Sequence, residues 1–196
     1  MQDMSFPLKR AFIALPLEGE AKEKLRELQI RFQAYDDMLR FQNPETAHLT
    51  LYFWQELMEI EYEDMVKRVA KIAERTSPFT LKVLAAETSI DPKTKLDRVL
   101  WLTIVRSEGL AKLKKLCPWP NIQPFSPHIT VARISKPHDF IIHKKKIMKL
   151  LKNVSFDIPV DRIRLFAEIE CEKQTPLRDF PLIQSSSTSI FFHLRQ

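Results

Sequence analysis

Apolar and polar positions along the chain follow two periods that take turns, one suited to strands and one to helices. Arg10-Ala-Phe-Ile-Ala-Leu15 reads as a strand ended by Pro16. From Glu18 to Phe32, Ala21, Leu25, Leu28 and Phe32 share one helical face. After a polar turn around Asn43-Pro44, the segment from His48 to Phe53 alternates like a strand, and a second helix from about Glu61 to Arg75 turns Met65, Val69 and Ile72 inward. Strands are predicted again at Phe79–Leu84 and Arg98–Ile104, then a helix over Glu108–Leu116, a short strand at His128–Arg133, a basic helix at Phe140–Leu151 and a long strand at Arg162–Ile169.

The order strand–helix–strand–helix–strand occurs once around His48 and more loosely around His128. This predicts an α+β protein of two related lobes, each giving one histidine-bearing strand. No linker rich in Pro, Gly or Ser separates them, so residues 1–196 are expected to form a single domain of two intertwined lobes. Residues 185–196, polar and then apolar, read as an extra strand or a tail.

Composition narrows the chemistry. Only two glycines, Gly19 and Gly109, are present, too few for a phosphate-cradling loop or a dinucleotide-binding turn. Two cysteines without CxxC spacing, Cys117 and Cys171, suit a reducing compartment and argue against a structural zinc site. The opening residues lack the apolar core of a signal peptide, and no apolar run approaches a membrane span. The expectation is a cytoplasmic monomer with no cofactor. The net charge of +6 favours a polyanionic partner.

Two segments share a local grammar, His48-Leu-Thr-Leu51 and His128-Ile-Thr-Val131. In a strand, residues i and i+2 point to one side, so each segment presents an imidazole and a hydroxyl together while its aliphatic residues turn to the core. An imidazole titrates near about 6.5, so one copy can be neutral and serve as base while the other is protonated and serves as acid. Thr50 and Thr130 can hydrogen-bond the non-bridging oxygens of a phosphodiester. His138, His143 and His193 have no such companion. There is no HxH, no HExxH and no carboxylate close behind either histidine, so no metal is expected.

These paired motifs, together with the flanking RAFIAL, RVLW and PFSPHITVAR, resemble the two-histidine phosphoesterase superfamily. Within it the chain is most similar to the RNA 2′,3′-cyclic phosphodiesterases, also called 2′-5′ RNA ligases. The resemblance runs from about Arg10 to Leu182. It implies a bilobal α+β fold with an antiparallel sheet in each lobe, helices outside, and the two His-x-Thr strands facing each other across a groove. It implies His48 as general acid, His128 as the base that activates water, and Thr50 and Thr130 holding the phosphate. Reversal of the reaction exchanges acid and base. Arg133 matches a position commonly arginine in the family, where a guanidinium could fork onto phosphate. The chain departs from the family in lacking glycine after the first motif and in carrying Gln174–Phe180 where a glycine turn and a tyrosine are common. These departures concern the loops and hence substrate length.

The implied substrate is an RNA end or nucleotide bearing a 2′,3′-cyclic phosphate, tRNA halves among them, opened to a 2′-phosphate. The reverse, ATP-independent direction would join RNA through a 2′-5′ bond. Two rivals predict other outcomes: a non-catalytic RNA-binding protein on the same fold, and a small-nucleotide cyclic phosphodiesterase. By strand phase, positions 48, 50 and 52 share one face, which nominates Tyr52 as a base platform. Phe12, Trp54, Trp119 and Phe125 are weaker candidates. Lys144, Lys145, Lys146, Lys149 and Lys152 form the densest charge run, read as a solvated helix face with Ile147, Leu150 and Leu151 packed inward.

Overall fold

The strand read at Arg10–Leu15 is the middle of a longer one, β1 (Leu8–Pro16), in the computed structural model, which describes residues 5–120 and 124–183. The chain continues through α1 (Gly19–Ile30), β2 (Leu39–Phe41), β3 (His48–Leu57), α2 (Glu59–Glu74), β4 (Phe79–Ile90), β5 (Asp97–Ile104) and α3 (Glu108–Leu116). It goes on through β6 (His128–Ile134), α4 (Pro137–Leu150), β7 (Asp157–Val160), β8 (Arg162–Ile169) and β9 (Glu172–Pro181). Residues 185–196, and His193 with them, lie outside the described residues.

The strands form two antiparallel sheets. One has the order β3-β1-β8-β9 and the other β2-β6-β5-β4-β7. The chain passes between them repeatedly: β1 lies in the first sheet, β2 in the second, β3 in the first, β4 to β7 in the second, and β8 and β9 in the first again. Matched features relate the two sheets: a histidine-bearing strand, β3 or β6, pairs with β1 or β5 respectively. Both sheets feed one core. It includes the helical stripes Ala21, Leu25, Leu28 and Met65, Val69, Ile72, together with Leu49, Leu51, Ile129 and Val131 beneath the two motifs.

Three strands go beyond the sequence expectation, and each lacks a readable period. β2 and β7 have three and four residues. β9 is an edge strand with Pro176 and Pro181 and mostly polar residues on both sides, the composition that edge position tolerates. Scarce glycine leaves turns to other residues: Glu170 and Cys171 between β8 and β9 both take positive φ, +48° and +69°, the backbone that a two-residue hairpin requires. On α4, Ile147 and Leu151 are buried as expected, but Leu150 is exposed. Lys144 of that helix is not simply solvated, because its ammonium pairs at 2.8 Å and 3.0 Å with the buried carboxylate of Asp97. Among the described residues no helix is long and apolar enough to cross a membrane.

Candidate active site

A cavity of about 480 Å³ opens between the sheets, and His48, Thr50, His128, Thr130 and Arg133 all line it. The phase argument holds within each motif: His48 and Thr50 face the cavity while Leu49 and Leu51 are buried, and His128 and Thr130 face it while Ile129 and Val131 are buried.

Beyond each motif the phase changes. Thr50 pairs with Ala14 and Tyr52 with Ile13, so Leu51 has no partner on β1 and forms a bulge. Likewise Thr130 pairs with Trp101 and Ala132 with Leu100, leaving Val131 as the extra residue. Each bulge sends two consecutive residues away from the cavity and returns the one after them. Tyr52 therefore does not line the cavity, contrary to strict alternation; it packs against Trp54 and Trp119, at ring-centroid distances of 4.6 Å and 5.6 Å. Phe53 takes the cavity position instead and is 46% exposed. The same shift brings in Arg133, which alternation alone would have turned to the back of β6. Phe53 and Arg133 thus stand five residues beyond His48 and His128 in matching places.

Both imidazoles are held alike. His48 Nδ1 lies 2.6 Å from the carbonyl of Thr46, and His128 Nδ1 lies 2.8 Å from that of Ser126. A carbonyl only accepts, so each Nδ1 carries the proton and donates it, leaving Nε2 as the free nitrogen. His48 packs at a tilt against Phe12 at 4.5 Å and Phe166 at 5.3 Å, and His128 against Trp101 at 4.3 Å. Burial pushes the pKa of His48 down to about 4; the Thr46 carbonyl opposes this and the charge of His128 adds to it. At neutral pH His48 is therefore uncharged.

Several wall residues lie outside the set nominated by the sequence. Arg10, Arg40, Phe41, Gln42, Lys173 and Gln174 also line the cavity. Arg10 sits at φ +49° where β1 carries an extra residue relative to β8, a bulge that re-aims the strand. Gln174, at φ +65° on β9, accepts from Gln42 Nε2 at 2.7 Å and Thr46 Oγ1 at 3.1 Å. It thereby ties the β8–β9 hairpin of one sheet to the segment that follows β2 of the other. The lysine run of α4 contributes nothing to the cavity wall. Among the described residues no cluster of three or more His, Cys, Asp or Glu is arranged to hold a metal ion.

The family model described as LigT-like phosphoesterase matches residues 15–93, the stretch that holds the first motif. A curated protein of Aquifex aeolicus named RNA 2′,3′-cyclic phosphodiesterase is 28% identical over 165 residues, covering 78% of this chain and 76% of its own. In sequence the chain is therefore similar to the LigT-like phosphoesterases. Another curated relative with the same name, from Methanothermobacter thermautotrophicus, is 23% identical over 137 residues, 66% of this chain and 73% of its own. Among solved structures, a Thermus thermophilus protein superposes with a TM-score of 0.66 at 24% identity, covering 90% of this chain and 99% of that one. Apo LigT of E. coli gives 0.62 at 22% identity over 91% and 99%. These likenesses carry the two-sheet LigT fold across nearly the whole chain.

Proposed function

We propose that the groove opens 2′,3′-cyclic phosphate ends of RNA with His48 and His128 as an acid–base pair. The observation that carries this reading is the cavity itself, where two matched His-x-Thr faces meet with both Nδ1 protons already committed to backbone carbonyls. Two relatives bearing the name RNA 2′,3′-cyclic phosphodiesterase support the choice of substrate.

In the hydrolytic direction, His128 Nε2 takes a proton from water as that water attacks phosphorus. His48 Nε2 gives a proton to the departing ribose 3′ oxygen, leaving a 2′-phosphate. His48 is neutral at rest, and an anion placed beside an imidazole raises its pKa. Substrate binding therefore loads the proton that the step consumes. The Thr50 and Thr130 hydroxyls donate to the non-bridging oxygens as charge grows on them. Arg133 belongs to substrate binding, and Phe53, rather than Tyr52, offers a ring to a base. The chemistry calls on neither metal nor nucleotide cofactor. With a 5′-hydroxyl RNA end attacking in place of water, the same groups form a 2′-5′ bond.

The deciding experiment is turnover, in the presence of EDTA, of an oligonucleotide ending in a 2′,3′-cyclic phosphate. The expected result is chelator-resistant opening to one phosphomonoester isomer, reduced about 10²- to 10⁴-fold in His48→Ala and in His128→Ala. No opening by the wild type, or opening that survives both substitutions, would overturn the reading.

A further inference from the structure

We propose that Arg40 and Arg133 form a second anion subsite in the groove, which takes a backbone phosphate of the RNA next to the one being opened. The inference rests on the hydrolase reading for the nature of the ligand. It extends that reading from a cyclic phosphate to a cyclic phosphate on a chain of at least two nucleotides.

Arg40 on β2 is the direct cross-strand partner of Arg133 on β6, and both side chains line the cavity. Like charges placed opposite one another across an antiparallel pair destabilise it. Burial, followed by the charges of Arg40, Arg98 and Arg10, holds the Arg133 guanidinium below the usual arginine range. Arg26, Arg68, Arg162 and Arg164, by contrast, each contact a carboxylate. Among the described residues neither Arg40 nor Arg133 makes an ion pair. Two cations on neighbouring strands of one cavity wall, without a carboxylate partner, make a favourable seat for an anion.

Charge balance separates this anion from the reacting phosphate. The cavity wall carries Arg10, Arg40, Arg133 and Lys173 against the single carboxylate of Glu168, and Glu168 is within 3.7 Å of Arg10. A cyclic phosphodiester has one negative charge, and its oxygens are served by the two threonines and two histidines. The Arg40–Arg133 pair remains for another phosphate, and the planar guanidinium suits that ligand. Phe41, adjacent to Arg40 and also on the wall, supplies a ring beside the same subsite.

Equilibrium binding of two product-type ligands tests this without requiring turnover: a nucleoside 2′-phosphate and a trinucleotide ending in a 2′-phosphate. In Arg40→Gln the preference for the trinucleotide over the mononucleotide should fall about tenfold. The slope of log affinity against log salt for the trinucleotide should shrink by about 0.7. Thermal stability should hold or rise, because a repulsion has been removed, whereas a residue with a purely structural role would lower it. Lys145→Gln, which removes one exposed charge from α4, should keep the preference. The subsite is refuted if Arg40→Gln weakens both ligands by one factor, if it weakens neither, if Lys145→Gln does the same, or if the wild type binds neither ligand. Failure of the wild type to open a cyclic end would remove the hydrolase reading while leaving the binding comparison intact.

Discussion

Gln29, buried on α1, donates from its side-chain amide to the carbonyl of Val131, the bulged residue beside His128 and Thr130, at 3.2 Å. The same amide donates to the carbonyl of Gln42 at 2.7 Å. The opposite motif is served in the same way: Lys114 on α3 donates to the carbonyl of Leu51 at 2.7 Å. In each case the helix that follows a strand of one sheet reaches the bulge in the other. Bulges disrupt the ladder locally and leave groups to be satisfied by other means. These two side chains supply such means where strand phase decides which residues face the groove.

Substituting Gln29 should therefore act on both stability and catalysis. Gln29→Glu sets a carboxylate against two carbonyl oxygens and should cost about 1–3 kcal/mol in chemical denaturation. At a temperature where the variant is fully folded, kcat/KM should still fall, since Arg133 depends on the bulge for its place. Unchanged kcat/KM in folded protein would show that the bulge holds without the amide.

The depressed pKa of His48 predicts a pH dependence of stability with a definite sign. Unfolded, the imidazole titrates near its ordinary value of 6.5; folded, it is held to about 4. Between those values the unfolded chain binds more protons than the folded one, so stability rises with pH across this window and is lost as pH falls through it. The slope from this one group is at most about 1.4 kcal/mol per pH unit. His48→Gln should flatten that part of a Tm-against-pH curve, and a variant curve parallel to the wild type would remove the assignment.

The bulge at Leu51 exchanges Tyr52 for Phe53, and the two can be told apart by binding. Phe53→Ala should weaken a single-stranded oligonucleotide by about 1–3 kcal/mol if a base stacks there. Tyr52→Phe keeps the ring packed against Trp54 and Trp119 and should change affinity little. The reverse pattern, measured by fluorescence anisotropy, would return the platform to Tyr52.

Lys144 gives the lysine-rich helix a structural part. Its ammonium is partly exposed, but Asp97 beneath it is only 7% exposed. Lys144→Met leaves that carboxylate buried without its cation and should cost about 2–4 kcal/mol. RNA-end turnover at low temperature should be close to wild type, because α4 lies off the cavity wall. Denaturant titration and an initial-rate assay on the same preparation check both parts.

The legible parts of this protein are those where one period persists. The helices announce themselves through stripes such as Ala21, Leu25, Leu28, and the two motifs through a two-residue alternation that remains valid as far as Thr50 and Thr130. Alternation fails two residues further on, at Tyr52 and Ala132, because a bulge adds one position and leaves no mark in an apolar run such as Leu51-Tyr52-Phe53. Arg133 came into view through family resemblance, since strict alternation would have turned it away. Arg10, Arg40, Lys173 and Gln174 gave no signal. Arg10 and Gln174 reach the groove through positive φ angles, and Arg40 through a strand of three residues. Such placements depend on long-range pairing that no local window contains.

The shuttling of the chain between sheets has a consequence for synthesis. The strand carrying His48 and the strand carrying His128 both precede β8 and β9 in the chain. Yet β8 supplies the Phe166 ring packed beside His48, and β9 supplies Lys173 and Gln174 to the groove. A nascent chain that has released both histidines thus still lacks one wall of the site. The groove is walled on all sides only once the hairpin has emerged and β8 has slotted between β1 and β9, so its assembly waits on the last strands described.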